Sequence, residues 1–367
     1  MTTAIQLLSA AVSANVPAIW WGKPGIGKTA ILSQLGESFG LPTVVISLAT
    51  RAPEDVGGLP VPDADNRSSF RRLMDPVFQR IADEPALLVI DELNRAASRA
   101  TMNAALRGIQ ERTWGDLQMH PGSRIVATGN PSSVDSGAAD LPSALANRFL
   151  HCHKEAESSA WFQWMLSGSS GPAIQPLAPG VLDQYIPLAR RDVVGFLSAK
   201  PQLESSFPKD PIQQGGAWAS RRSWTNAASL WAVALALKDR DLGFEAVAGT
   251  VGEGAALEFL TFVTEQDLPD PSVILANPSG FVLPKRMDQH FAVLGSVAAL
   301  ARKRGDVASM RAAEIVLVAA SQQGARDAAA ASLGTLMNGG AVPGWNLSPQ
   351  TATVFMPTLT AAGWIGR

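Results

Sequence analysis

The chain has 367 residues, 46% of them hydrophobic and 17% charged, a composition that fits a packed globular protein of about two or three domains. A formal net charge of −2 leaves no overall basic field of the kind a general nucleic-acid binder carries. A single cysteine, Cys152, excludes an internal disulfide framework. The start lacks a basic secretory region, and the longest apolar run, 227–237, is far below the roughly 20 residues of a membrane span, so a cytoplasmic protein is expected.

In chain order, residues 3–14 carry Ile5, Leu8 and Val12 near helical spacing and predict a helix packed on a sheet edge. Residues 18–21 read as a short apolar strand and 29–38 as a helix. Between them, Gly22-Lys23-Pro24-Gly25-Ile26-Gly27-Lys28-Thr29 completes a G-x-x-x-x-G-K-T loop, in the strand–loop–helix setting that this motif needs. Gly22, Gly25 and Gly27 allow the tight turn that aims successive N–H groups inward, with Lys23, Pro24, Ile26 and Ala30 completing the cradle. The helix adds its positive dipole end at the same point. Lys28 is placed to reach β- and γ-phosphates and Thr29 to ligate Mg²⁺, so the chain is expected to bind a nucleoside triphosphate.

Further strands are predicted over 44–48, 86–90, 125–128 and 149–152. Alternation with helical stretches indicates a three-layer α/β domain around a parallel sheet. Residues 49–75, rich in Pro, Gly and charge, read as a loop or hairpin. The 86–90 strand ends in Asp91 and Glu92, carboxylates delivered to the ligand crevice at strand C-termini. Asp91 suits Mg²⁺ held through water, and Glu92 suits the general base that orients an attacking water. The 125–128 strand leads to Asn130-Pro131. Alone this is a turn signal; after two matching motifs, Asn130 reads as an amide for the γ-phosphate or the water. Arg148, just before the fifth strand, is a permanently charged planar group suited to a transferring phosphoryl, though by itself it would read as a surface ion pair. His151 and His153 share one face of that strand while Cys152 takes the other, which argues against a metal site. Trp20 and Trp21 brace the phosphate loop, with adenine stacking by one of them left open.

Beyond residue 160 the strand signals fade. Helices are predicted over 180–199, 224–239 and 254–264, then, after a breaker at 267–271, over 287–304 and 310–333, with an irregular tail. The tryptophans Trp161, Trp164, Trp218, Trp224 and Trp231 read as core rather than as a base-stacking platform. The organisation expected is an α/β nucleotide-binding domain over 1–155, an α-helical lid over 156–268 and a C-terminal helical extension over 269–367.

Taken in order, GKPGIGKT, LLVIDELNRA, ATGNP and LPSALANRF resemble the AAA+ ATPases of the MoxR type and their dynein-related relatives. The resemblance covers 1–153 well, thins toward 265 and ends there. It implies an ASCE P-loop core with a five-stranded parallel sheet in the order 5-1-4-3-2, a helical lid, ATP as the nucleotide, and a hexameric ring with shared active sites. It also implies that Asn130 is the sensor 1 residue and Arg148 an arginine finger reaching the neighbour's nucleotide. A sensor 2 arginine is implied within Ser220-Arg221-Arg222-Ser223, where arginine replaces the family's proline; Arg222 is the choice and Arg221 the runner-up. Residues 111–120 resemble the group's hairpin insert, in which Trp114 is either a substrate contact or packs on its own strand. Relatives commonly act as chaperone-like factors beside von Willebrand A domain proteins.

The function expected is therefore a ring-forming ATPase that remodels a protein partner. The alternatives are a nucleic-acid motor or loader on the same core, and a regulatory scaffold with weak hydrolysis. Neither charge nor any winged-helix pattern in 270–367 supports the motor, and the filled catalytic positions weigh against the scaffold.

Overall fold

The computed structural model describes residues 2–63, 69–135, 137–155, 158–167, 176–178, 180–265, 269–338 and 340–361. Residues 168–175, residues 267 and 268 of the expected breaker, and the expected lid bounds 156 and 268 lie outside these. Contacts divide the chain into two compact units, Met1–Leu182 with Ser205–Leu257, and Asp183–Glu204 with Glu258–Arg367. The helical stretch 156–268 contributes to both.

The first unit is built on five parallel strands: β1 Ala18–Trp21, β2 Thr43–Ser47, β3 Leu87–Asp91, β4 Arg124–Gly129 and β5 Leu150–Cys152. Their spatial order is β5-β1-β4-β3-β2, the order the resemblance implied. Strands such as Leu-Leu-Val-Ile in β3 are apolar throughout because both faces are covered. Alternation sends Ile19, Leu88, Ile90 and Ile125 to one face, against Phe78 and Ile81 of the Pro76–Asp83 helix and Ala105 and Ile109 of the Arg99–Glu111 helix. Trp20, Leu87, Val89 and Val126 take the other face. There they meet Leu7 and Leu8 of the Ala4–Ala14 helix, Leu32 and Leu35 of the Lys28–Ser38 helix, and residues such as Leu230 and Leu242 from helices Arg221–Leu237 and Arg240–Val251. The three-layer α/β expectation holds.

The Ala4–Ala14 helix starts at a reciprocal cap, in which Gln6 N–H donates to Thr3 Oγ1 at 3.2 Å and Thr3 N–H to Gln6 Oε1 at 2.8 Å. It lies across β4, β1 and β5 rather than on an edge. Residues 49–75 hold a short helix, Pro53–Gly57, and an antiparallel hairpin of Leu59–Pro62 with Phe70–Leu73. A second hairpin pairs Thr113–Trp114 with Leu117–Gln118. Trp114 on it is buried, stacked on Phe78 with ring centroids 4.9 Å apart, so it is a core residue and not a substrate contact.

The second unit is helical. Leu294 and Val297 of helix Asp288–Arg304, Val316 and Leu317 of helix Val307–Gln322, Leu333 of helix Arg326–Met337 and Phe355 of helix Pro349–Ala361 share one core. Two expectations are corrected here. The single helix over 310–333 is broken in two at Gly324, whose φ of +103° lets the chain turn. The tail is not irregular: Ser348 Oγ accepts the Thr351 N–H at 3.3 Å and starts a helix at Pro349.

Candidate nucleotide-hydrolysis site

The phosphate loop leaves β1 through Gly22, whose N–H donates to the Gly129 carbonyl of β4 at 3.1 Å. Gly25 and Gly27 have φ of +80° and +82°, where only glycine fits without strain, and a Cβ on Gly22 would lie 2.8 Å from Ile26 Cδ1, so that side chain would have to turn aside. Gly27 then starts the Lys28–Ser38 helix. This backbone brings its N–H groups and a helix N-terminus to one concave point, the arrangement that binds phosphate.

Lys28 is buried beneath the loop and spans it. Its ammonium donates to the Gly22 carbonyl at 2.6 Å, the Lys23 carbonyl at 3.0 Å and Asn130 Oδ1 at 3.0 Å. Burial lowers its pKa, against the pull of Asp91 and Glu92. Thr29 Oγ1 donates to Asp91 Oδ2 at 3.3 Å. Asp91 is held from its other oxygen by the Thr128 hydroxyl at 2.5 Å, and Thr128 in turn accepts the Glu92 N–H at 3.0 Å. Glu92 has φ of +51°, uncommon for a residue with a side chain, at the point where the strand turns into the short helix Leu93–Arg95. Its carboxylate pairs with Arg95 at 3.3 Å.

Lys28, Thr29, Asp91, Glu92 and Asn130 are thus gathered at the C-terminal ends of β1, β3 and β4, where an open α/β sheet places its ligand. Arg148 and Arg222 form a separate group. Arg148 is folded onto its own chain: Nη1 donates to the Ala144 carbonyl and Nη2 to Gln110 Oε1, while the buried Nε has no partner among the described residues. Burial lowers its pKa, and the like charge of Arg222 adds to that. Arg222 itself is exposed, at the start of the Arg221–Leu237 helix.

Several participants were not singled out in sequence. Asn94 is buried; its Nδ2 donates to the Asn130 carbonyl at 2.8 Å and its Oδ1 accepts the Asn130 N–H at 3.2 Å, so it holds the Asn130 backbone like a paired strand. Thr128 links the Asp91 carboxylate to the Glu92 backbone N–H. Asp135 accepts from Asn130 Nδ2 at 3.1 Å. The only signal in sequence was their closeness to motif residues. Trp21, half-buried, stacks with His151 and His153 at 6.1 and 6.0 Å, and its Nε1 donates to His151 Nδ1 at 3.0 Å. His151 Nε2 then donates to the Ala146 carbonyl at 2.9 Å, and burial lowers its pKa to about 4. Trp20 is fully buried and donates to the Lys154 carbonyl at 2.8 Å, which removes it from any stacking role toward a base. Burial pushes the Cys152 thiol up to about 12.

A β5-β1-β4-β3-β2 parallel sheet, a phosphate loop after β1 and an acidic pair after β3 define an AAA+ nucleotide-binding fold. Residues 18–151 match the family model described as "ATPase family associated with various cellular activities (AAA)". The chain is similar to midasin of Giardia intestinalis, 31% identical over 157 residues that make up 41% of this chain and 3% of that protein. Midasin of Dictyostelium discoideum is 27% identical over 135 residues, 35% of this chain and 2% of its own. The chain therefore spans a small fraction of these curated relatives. A crystal structure of a protein from Cytophaga hutchinsonii overlaps with a TM-score of 0.47 at 17% identity, covering 72% of this chain and 88% of that one. Among the described residues no helix is long and apolar enough to cross a membrane.

Proposed function

We propose that the chain is a ring-forming ATPase of the MoxR type, which couples ATP hydrolysis to the remodelling of a protein partner. The observation that carries the hydrolytic part is the hydrogen bond between Lys28 Nζ and Asn130 Oδ1, which joins the phosphate loop to the end of β4, more than a hundred residues on. Lys28 and the loop amides hold the β- and γ-phosphates, and Asn130 meets the γ-phosphate. The hydroxyl of Thr29 and the carboxylate of Asp91 are hard oxygen donors of the kind Mg²⁺ takes, the rest of its shell coming from phosphate and water. When bound there, Mg²⁺ would offset the phosphate charge. Glu92 accepts a proton from water as the water oxygen bonds to the γ-phosphorus and the bond to the β–γ bridging oxygen breaks.

Arg148 supplies positive charge to a neighbouring subunit's nucleotide. Arg222, in electrostatic reach of Arg148, serves the γ-phosphate beside it. A hexamer and a von Willebrand A domain partner are carried over from the resemblance. The test uses two variants and ATP titration calorimetry beside steady-state phosphate release. Lys28→Ala should lose ATP binding. Glu92→Gln should bind ATP yet turn over roughly 100-fold or more slowly, as expected when a general base is removed. Wild-type turnover in Glu92→Gln would sink the assignment of the base.

A further inference from the structure

A continuous polar path runs from the phosphate-loop lysine to the carboxylate of Glu92. Lys28 Nζ donates to Asn130 Oδ1 at 3.0 Å, and Asn130 Nδ2 donates to Asp135 Oδ2 at 3.1 Å. Arg95 Nε lies 3.6 Å from that same Asp135 oxygen, while Arg95 Nη1 reaches Glu92 Oε1 at 3.3 Å. The guanidinium stands between two carboxylates in good geometry with neither: one distance is past hydrogen-bond length and the other is long.

The surroundings fix everything except the two side chains that matter. Asp135 is anchored through its other oxygen, which accepts the Gly137 N–H at 3.0 Å. That bond, with the one from Asn130, holds its carboxyl below the usual carboxylate range. The Glu92 backbone is tied to Thr128, and the Arg95 N–H donates to the Glu92 carbonyl at 2.9 Å in a tight turn. The side chains of Arg95 and Glu92 remain partly exposed.

We propose that Arg95 is a positioning residue that passes between Glu92 and Asp135, withholding the Glu92 carboxylate until Asn130 engages a γ-phosphate. The inference rests on the hydrolysis reading above. Phosphate oxygens only accept, so of the two polar atoms of the Asn130 amide it is Nδ2 that must answer them. That is the atom now given to Asp135. Once it turns away, Asp135 Oδ2 completes its shell with Arg95, and the guanidinium leaves Glu92 free to take a proton from water. Nucleotide occupancy thereby governs the base through residues that never touch the nucleotide.

Single-turnover and steady-state hydrolysis of Arg95→Ala, Arg95→Lys, Asp135→Asn and the double variant Arg95→Ala/Asp135→Asn test this in the full chain. Because the pairs are partly exposed, effects of about two- to fivefold are expected. At saturating ATP the guanidinium has already left Glu92, so Arg95→Ala should keep the wild-type kcat with the KM for ATP unchanged, and Arg95→Lys, which keeps the charge, should stay at or below the wild-type rate. Asp135→Asn should lower kcat because Arg95 stays on Glu92. The double variant should follow Arg95→Ala, since Asp135 acts only through Arg95. A kcat that falls in Arg95→Ala overturns the proposal, as does an Asp135→Asn variant that is not slowed or is slowed equally with and without Arg95. If the wild-type chain fails to hydrolyse ATP, both this and the hydrolysis reading fall; if it hydrolyses and Asp135→Asn acts the same with and without Arg95, only this one does.

Discussion

At the residue scale, His151 shows how neutral chemistry is enforced beside a charged site. Its two ring nitrogens are committed, Nδ1 as acceptor to Trp21 and Nε2 as donor to Ala146, and a proton on Nδ1 would break the first bond. Burial lowers its pKa from 6.5 to about 4, so the unfolded chain binds this proton at a higher pH than the folded one. The stability it contributes is complete above about 6.5 and is lost as pH falls through 4. Between pH 7 and pH 5 the loss from this group should be roughly 2 kcal/mol. Urea unfolding of wild type and His151→Asn at the two pH values checks this, the variant showing a smaller decline; parallel declines would refute it. The same scale explains what the motifs left out. Asp91 and Glu92 were legible because two carboxylates end an apolar strand. Arg95 and Asp135 are neighbours of Glu92 and Asn130 along the chain, but what brings Arg95 within 3.6 Å of Asp135 is the fold, which no spacing encodes.

At the scale of elements, the five sheet strands and the phosphate-loop helix were legible because hydrophobic runs, glycines and breakers coincide there. Elements closed by tertiary contact were not. The hairpin Thr113–Trp114 with Leu117–Gln118 is too short for alternation to say which way its tryptophan points, and the fold turns Trp114 inward onto Phe78 and the Arg99–Glu111 helix. Gly108 on that helix makes the approach possible: a Cβ there would lie 2.5 Å from the Trp114 ring. Gly108→Ala improves helix propensity, worth up to about 1 kcal/mol, yet should destabilise the unit by overpacking at about 1–3 kcal/mol. In a Trp114→Leu background the same substitution should cost less, since the ring it collides with is gone. Equal cost in both backgrounds, read from thermal unfolding, would show that the ring is not the obstacle. In the second unit, a Ser-Pro pair at 348–349 looks like a turn in sequence, and it became a helix start only where Ser348 caps it and Glu314, buried in the neighbouring helix, accepts the Ser348 N–H at 2.8 Å.

For the whole molecule, the question is why the two arginines stand apart from Lys28, Asp91 and Glu92 at the proposed phosphate site. Arg148 is buried, one of its donors is unmatched, and Arg222 repels it, a combination that an incoming anion would relieve. Inside one chain its two Nη atoms are turned to Ala144 and Gln110, so on this reading its catalytic use begins when a second copy presents a nucleotide. Shared sites make a distinctive prediction about mixtures. Arg148→Ala lacks the finger but keeps Glu92; Glu92→Gln lacks the base but keeps Arg148. Each should be nearly inactive alone, with ATP binding retained in both. Co-assembled, interfaces that combine Glu92 from one subunit with Arg148 from the other regain a complete site, and a random equal mixture should recover about a quarter of wild-type turnover per interface if neighbours act independently. The measurement is phosphate release across mixing ratios after a cycle of dissociation and reassembly, with native mass spectrometry to confirm mixed assemblies. Mixed rings that stay as inactive as their parents would mean that Arg148 serves its own subunit or none.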